Sequence, residues 1–448
     1  MAELRRDLGI WGAASIVVGT IIGSGIFLVP KTMVQKVGSV EMVFLVWVAA
    51  GLLSLAGALT YAELAAAMSE AGGEYVYLRE AYGPFFGFLY GWTQMWVAKS
   101  GAIAALATGF FYYLANFYPS LERDLYRGPW LEIRVGQLAA IGVILGLGFL
   151  NYFGVKWGGG VQVVVTIVKV GCILAIILAG VSSVAGNPAN FSTRVPAIAG
   201  MSGFFAAMVA ALWAYDGWNN VTMVASEIKE PQRNLPLALA AGTALVMVLY
   251  LGTNFAYFYL LSAEEVAASD RVAGAAMSKV FGASGAAAVS VAAMISMFAA
   301  INGSILSGSR VPYAMARDRL FFRSLGTVHA NFHTPAASIL ALSAWAAVLV
   351  LSGRYEQLFT YVIFASWILY ALSAASVIVL RVKRPEMVRP YRTVGYPVVP
   401  ILFILVAIAL LANTFVESPR ESIMGLGLIL LGIPFYLYWK KSADAERG

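Results

Sequence analysis

Twelve apolar runs, each closed off by charged or turn-forming residues, occupy most of this chain: residues 8–35, 41–66, 84–114, 134–153, 157–182, 200–226, 235–261, 284–313, 335–352, 357–381, 396–416 and 422–440. Runs of this length cross about 30 Å of hydrocarbon as helices. Lipid offers no water to an exposed backbone, so such spans must satisfy their own hydrogen bonds. The expected class is an all-α, multi-pass integral membrane protein with twelve transmembrane helices, and 448 residues leave no length for a large domain outside the lipid bilayer. Only 12% of the residues are charged, against roughly 25% in soluble proteins, which excludes a soluble enzyme.

An even number of spans puts both termini on one side. Loops on that side hold 18 of the 30 Lys and Arg residues and the opposite loops hold 10, with Lys99 and Lys169 inside spans. The positive-inside rule then predicts cytoplasmic termini. The N-terminal MAELRRDLGIW runs directly into a span without a cleavage site. The net charge of +7 reports orientation rather than an acidic partner, and no basic tract long enough for nucleic acid is present. Cys172, the one cysteine, lies mid-span and allows no intramolecular disulfide.

Two spans carry interruptions. The first contains GTIIGSGIF (19–27), whose Gly19, Gly23 and Gly25 are too dense for an inexpensive helix interior. The sixth contains WAYDGWNN (213–220), with Asp216, Gly217, Asn219 and Asn220 as turn formers amid apolar residues. The glycines alone also fit close helix packing, Gly19 to Gly23 having the GxxxG spacing. Paired with the sixth-span interruption they predict two broken helices, because irregular backbone at membrane depth is tolerated only around a cavity or protein-lined site. The breaks lie five spans apart, an odd number, so the second set enters from the opposite face. This predicts a first five-helix repeat over 1–182, a second inverted one over 200–381, and two appended helices over 396–441.

At a break one half-helix ends in free carbonyls and the next begins with free N–H groups. A zwitterion matches that pattern. The N–H groups of Ser24, Gly25 and Ile26, with the Ser24 hydroxyl, are expected to receive a carboxylate. The carbonyls around Gly19 to Ile21 and from Trp213 through Ala214 to Tyr215 are expected to receive an ammonium. Such a site selects an α-amino acid without a strongly charged side chain.

GTIIGSGIF, AYDGWNNVTMVASEIKEPQRNLP (214–236), the lysine of the fifth span and NGSILSGSRVPYAMARDRLFF (302–322) together resemble the amino acid–polyamine–organocation superfamily, and within it the L-type amino acid transporter group, over the whole chain. The resemblance implies a leucine-transporter-type fold with discontinuous helices 1 and 6, and exchange of neutral L-amino acids by alternating access without sodium. It places substrate contacts on Ile21, Ser24 and Gly25, an aromatic gate on Trp213 and a further polar contact on Asn219. It also implies that Lys169 takes the place of a sodium ion, bridging the broken first span to the eighth, where Ser304 and Ser307 are candidate neighbours. Two positions depart from the pattern, Trp213 replacing a frequent Phe and Asp216 replacing the Gly of eukaryotic members.

An unpaired ammonium at mid-span costs about 2.5–3.5 kcal/mol on insertion scales, so Lys169 needs partners. Snorkelling to the interface is the bland alternative, disfavoured by the uncharged stretches on both sides. Lys99 and Asp216 could form an intramembrane pair, with structural pairing for Lys99 and an N-cap role for Asp216 as the plainer readings. Trp218 reads as packing. Charges in 227–236 and 317–323 read as solvated loop charge or, more sharply, as a gating ion-pair network. No cofactor or metal is expected, since His329 and His333 stand in a loop without a carboxylate or cysteine to complete a set. Competing functions are a proton-coupled amino acid symporter titrating at Asp216 or Lys169, and a carrier of cationic amino acids or polyamines. The segment 115–133 has no cysteine, so the disulfide-linked ancillary subunit of animal L-type transporters has no attachment point, and the resemblance favours a prokaryotic inner-membrane protein.

Overall fold

The first break falls where the glycines predict it. In the computed structural model, α1 (Ile10–Ile21) and α2 (Gly25–Val37) meet at a 40° bend over Ile22 to Ser24. The structure describes residues 3–128, 132–197, 200–352 and 355–445, without the side chains of 355–365 and 443–445.

Beyond the bend, α3 (Val40–Ala67) leads through the short α4 (Glu74–Tyr82) to α5 (Pro84–Thr93) and α6 (Lys99–Leu114). The last two form one span, joined by a single π turn over Gln94 to Ala98. A two-stranded hairpin, β1 (Asp124–Arg127) and β2 (Glu132–Arg134), precedes α7 (Val135–Tyr152) and α8 (Val155–Val181). The second break separates α9 (Gly200–Tyr215) from α10 (Asn220–Met223), after which α11 (Pro231–Leu260) spans again. Two short helices, α12 (Ala263–Ala268) and α13 (Val272–Phe281), lead to α14 (Ala283–Gly308), which continues past a kink at Ser309 into α15 (Arg310–Arg317). The chain closes with α16 (Ala336–Leu351), α17 (Tyr355–Lys383), α18 (Val398–Glu417), α19 (Pro419–Leu430) and α20 (Gly432–Ala445).

Among the described residues nine helices are long and apolar enough to cross a membrane, and the bent α1–α2 pair makes a tenth. The expected sixth and ninth spans are represented by α9 and α16, apolar helices of 16 residues each. The sixth is short because the break removes its second half from regular helix. The centre is built from α1, α2, α3, α6, α9, α11 and α14, whereas α8, α18 and the α19–α20 pair bury under a third of their apolar windows and face lipid.

Some of the charge inside this apolar body lies near helix ends and is paired. Glu63, near the end of α3, takes both Arg381 nitrogens at 2.9 and 2.7 Å and the Thr393 N–H at 2.7 Å. Glu227, past the second break, holds Arg310 of α15 through two bonds of 2.7 and 2.9 Å, both side chains being essentially unexposed. Beside it the Glu227 carbonyl accepts from Leu8 N–H at 3.0 Å, and the Leu8 carbonyl accepts from Lys229 N–H at 2.8 Å. One cluster thus ties the entry of the first span to the exit of the sixth and the end of the eighth. At the neighbouring loops Arg79 gathers Glu70, Glu80 and Asp318 within 3.0 Å, and despite the opposing effect of burial Asp318 and Glu70 raise its pKa above the ordinary value.

Glu227→Ala leaves a buried guanidinium without its carboxylate and should lower stability by about 3–5 kcal/mol, seen as a fall in Tm of detergent-purified protein. Removing both charges with Glu227→Leu and Arg310→Met should recover most of that loss.

Candidate functional site

At the first break the helix leaves its last carbonyls unsatisfied, and the structure supplies donors from three other spans. Lys169, on α8, is fully buried. Its ammonium donates to the carbonyls of Gly19 at 2.8 Å, Ile22 at 2.5 Å and Ser296 at 2.9 Å. A lysine ammonium has three N–H donors, and all three are used. Ser296 Oγ adds bonds to the Ile22 and Gly23 carbonyls at 2.9 and 3.1 Å. The eighth-span neighbour of Lys169 is therefore Ser296. Ser304 lies two turns along α14 at the cavity described below, and Ser307 bonds back to Gly303.

The two breaks are joined to each other. Tyr250 of α11 shares its hydroxyl proton between the carbonyls of Ile21 at 3.1 Å and Ala214 at 2.8 Å. Thr20 Oγ1 lies 2.8 Å from the Gly217 carbonyl. Gly217 has φ +105°, and a Cβ there would sit 3.0 Å from the Thr20 backbone, so both the turn and the close approach call for glycine. Gly25 serves packing as well: a Cβ on it would lie 2.5 Å from Ala214 Cβ. This glycine lets α2 touch α9.

Between the breaks lies a small cavity of about 40 Å³. Of the residues expected at the site, Ile21, Ser24, Gly25 and Trp213 line it, as do Lys99 and Asp216. Ile26, Ala214, Asn219 and Lys169 do not. Ile26 and Ala214 are buried behind the wall, and Asn219 is turned away, its amide donating to Glu74. Its neighbour Asn220 faces the cavity instead and accepts from Lys99 Nζ at 2.5 Å. Asp216 accepts from Tyr370 OH at 2.8 Å, so Lys99 and Asp216 share the cavity without forming a direct bridge among the described residues. The N-cap residue of α2, Ser24, makes no side-chain capping bond, and the Gly25 and Ile26 N–H groups have no carbonyl within the helix to take them. Trp218 packs edge-on against Tyr61 at 4.7 Å, as a core residue.

Sequence reasoning missed Tyr250, Ser296, Thr20 and Asn220. Asn220 was visible, since it stands beside Asn219 in WNN, but the register that turns one inward and the other away depends on how the helix restarts. Tyr250 and Ser296 sit in regular spans with no local signal.

The chain matches the model of the amino acid permease family over residues 8–435. It is 34% identical over 441 residues to the serine/threonine exchanger SteT of Bacillus subtilis, covering 98% of each chain. It is 33% identical over 440 residues to the b(0,+)-type amino acid transporter 1 of Homo sapiens, covering 97% of this chain and 88% of that one. To the cystine/glutamate transporter of Homo sapiens it is 31% identical over 453 residues, covering 98% and 87%. A helical membrane chain with two linked helix breaks, matched along nearly its whole length, thus belongs to the amino acid permease family, a family of transporters rather than enzymes.

Proposed function

We propose that this protein exchanges neutral L-amino acids across a prokaryotic inner (plasma) membrane without sodium, by alternating access, with both termini in the cytoplasm and no disulfide-linked subunit. The observation that carries the reading is the Lys169 ammonium bound to three carbonyls at the first break. A sodium ion at that place would need the same oxygens. A tethered cation already satisfies them, so transport needs no bound metal ion.

The substrate zwitterion lies against the breaks. Its carboxylate takes the N–H groups of Gly25 and Ile26 with the Ser24 hydroxyl, where the helix dipole favours an anion. Its ammonium takes the second lone pairs of the carbonyls that Tyr250 and Lys169 already hold in place, from Gly19 to Ile21 and at Ala214. Asn220 adds the polar contact first expected from Asn219, and Trp213 closes over the side chain. A cavity of about 40 Å³ holds two or three waters and no amino acid, so the conformation described is closed and loading requires the walls to part. The two halves, 1–182 and 200–381, form the inverted repeat that makes an opening on either face equivalent, with 396–441 outside it. The relatives named as amino acid exchangers or transporters support this reading.

Counterflow of radiolabelled amino acid into preloaded proteoliposomes should be unchanged when sodium is replaced by choline, and a large loss would overturn sodium independence. Amino acid amides and decarboxylated amines should compete poorly in the same assay, because they lack the carboxylate that the α2 N–H groups receive. Lys169→Met keeps the apolar stem and removes the three carbonyl bonds. It should cut exchange at least about tenfold, a transport barrier of roughly 1.4 kcal/mol, in protein that still elutes as a folded species. Wild-type rates would remove the ammonium from the mechanism.

A further inference from the structure

Glu74 opens α4, the helix between the second and third spans, and is fully buried. A carboxylate in such a place needs a cation or a full set of hydrogen bonds. Its bonded partners are all neutral: Tyr90 OH at 3.0 Å, Thr222 Oγ1 at 3.4 Å and the Asn219 amide nitrogen. The ionisable groups facing it are Lys99, Tyr61, Tyr77, Tyr90 and Tyr370. Of these Lys99 alone is a cation, and its ammonium is engaged by Asn220 and also attracted by Asp216. Two buried carboxylates therefore share one ammonium, and full ionisation would leave an uncompensated negative charge in the core. Burial pushes the Glu74 carboxyl up from its ordinary value, opposed in part by the Asn219 bond.

A neutral carboxyl has a proton to donate and needs an acceptor. Asn219 Oδ1 is buried and has no hydrogen-bond partner among the described residues. Half a turn of the Asn219 amide exchanges its nitrogen and oxygen, so that the protonated carboxyl donates where the ionised one accepted. The pair thus offers one bonded arrangement for each protonation state, and Asn219 adjoins Asn220 at the restart of the sixth span. We infer that Glu74 is a proton-binding site of this carrier, holding a proton against Asn219 in the exchanging form and slowing exchange when the proton is lost. The inference rests on the transport reading above for its kinetic consequence, but not for the proton site itself.

Exchange is measured in proteoliposomes at equal pH on both sides from 5.5 to 8.5, together with Tm of the purified protein over the same range. Wild-type exchange should fall about threefold or more toward alkaline pH, and Glu74→Gln, neutral at every pH, should flatten the profile. A group whose carboxyl pKa is raised in the folded state contributes stability that is present at low pH and lost as pH rises through that value. The wild-type Tm should therefore fall relative to that of Glu74→Gln as pH rises. Glu74→Asp keeps a titrating group and should displace the midpoint of the profile, which serves as the test if the Gln variant does not fold. An unchanged midpoint in Glu74→Asp, a pH-independent wild type or a Gln variant with the wild-type profile overturns the proposal. Parallel Tm curves overturn the proton site whatever the transport assay gives. Diverging curves with no exchange of any amino acid support the site and count against the transport reading.

Discussion

Backbone groups buried in hydrocarbon must find partners, and that constraint organises this molecule around its two helix breaks. Interrupting α1–α2 frees carbonyls from Gly19 to Gly23, and each one identified is met by a donor from another span: Lys169 from α8, Ser296 from α14, Tyr250 from α11. These donors are built into regular helices, so their positions are fixed by packing rather than by the loop they serve. The break is thereby a defined arrangement of the backbone. It also explains why a lysine is tolerated in mid-membrane: its charge is solvated by carbonyl dipoles, with no carboxylate bonded to it among the described residues.

The same logic sorts the ionisable groups. Glu63, Glu227, Arg310 and Arg381 lie at helix ends and neutralise one another at bonding distance. They tie spans together at a face of the bundle. Lys99, Asp216 and Glu74 lie deeper and are held through neutral intermediaries, Asn220, Tyr370 and Asn219 respectively. Charges joined through amides and hydroxyls can change occupancy without tearing an ion pair apart, which is the physical difference between the structural pairs and the inner cluster.

Much of this was legible in the sequence. Helix boundaries follow the apolar runs to within a few residues, and both breaks sit within the runs where Gly19, Gly23 and Gly25, and Asp216, Gly217, Asn219 and Asn220, predicted them, because turn chemistry is local. The identity of partners was legible only where a residue had no other use for its charge. The charge of Lys169 showed that it needs partners, and the family resemblance implied a bridge to the eighth span, but its contact there is the Ser296 carbonyl, and any residue at that position offers a carbonyl. Asn219 and Asn220 are chemically identical in the sequence and are distinguished by one step of helix phase. Gly25 was readable as special, yet its reason, contact with Ala214, is a tertiary fact. The π turn at Gln94 to Ala98, which sets the phase of Lys99, leaves no compositional trace.

The links between the breaks bear on how the walls can part. Gly25 against Ala214, Thr20 to Gly217 and Tyr250 spanning Ile21 and Ala214 couple the first and sixth spans tightly. Their attachments to α8 and α14 include a set of polar contacts: Lys169, Ser296, Thr166 on the Ser15 carbonyl at 3.2 Å, and the Gln162–Asn302 amide pair, whose Gln162 reaches the same carbonyl at 3.2 Å and whose Asn302 donates back to Gln162 at 2.9 Å. Separating apolar surfaces in lipid exposes them to acyl chains at little cost, since no hydrophobic force holds helices together there. Separating hydrogen-bonded pairs leaves donors and acceptors unsatisfied unless water follows. Opening by moving the first and sixth spans as one body therefore concentrates the energetic change at the Lys169 and Gln162 contacts, which water or substrate entering from one face can satisfy in turn.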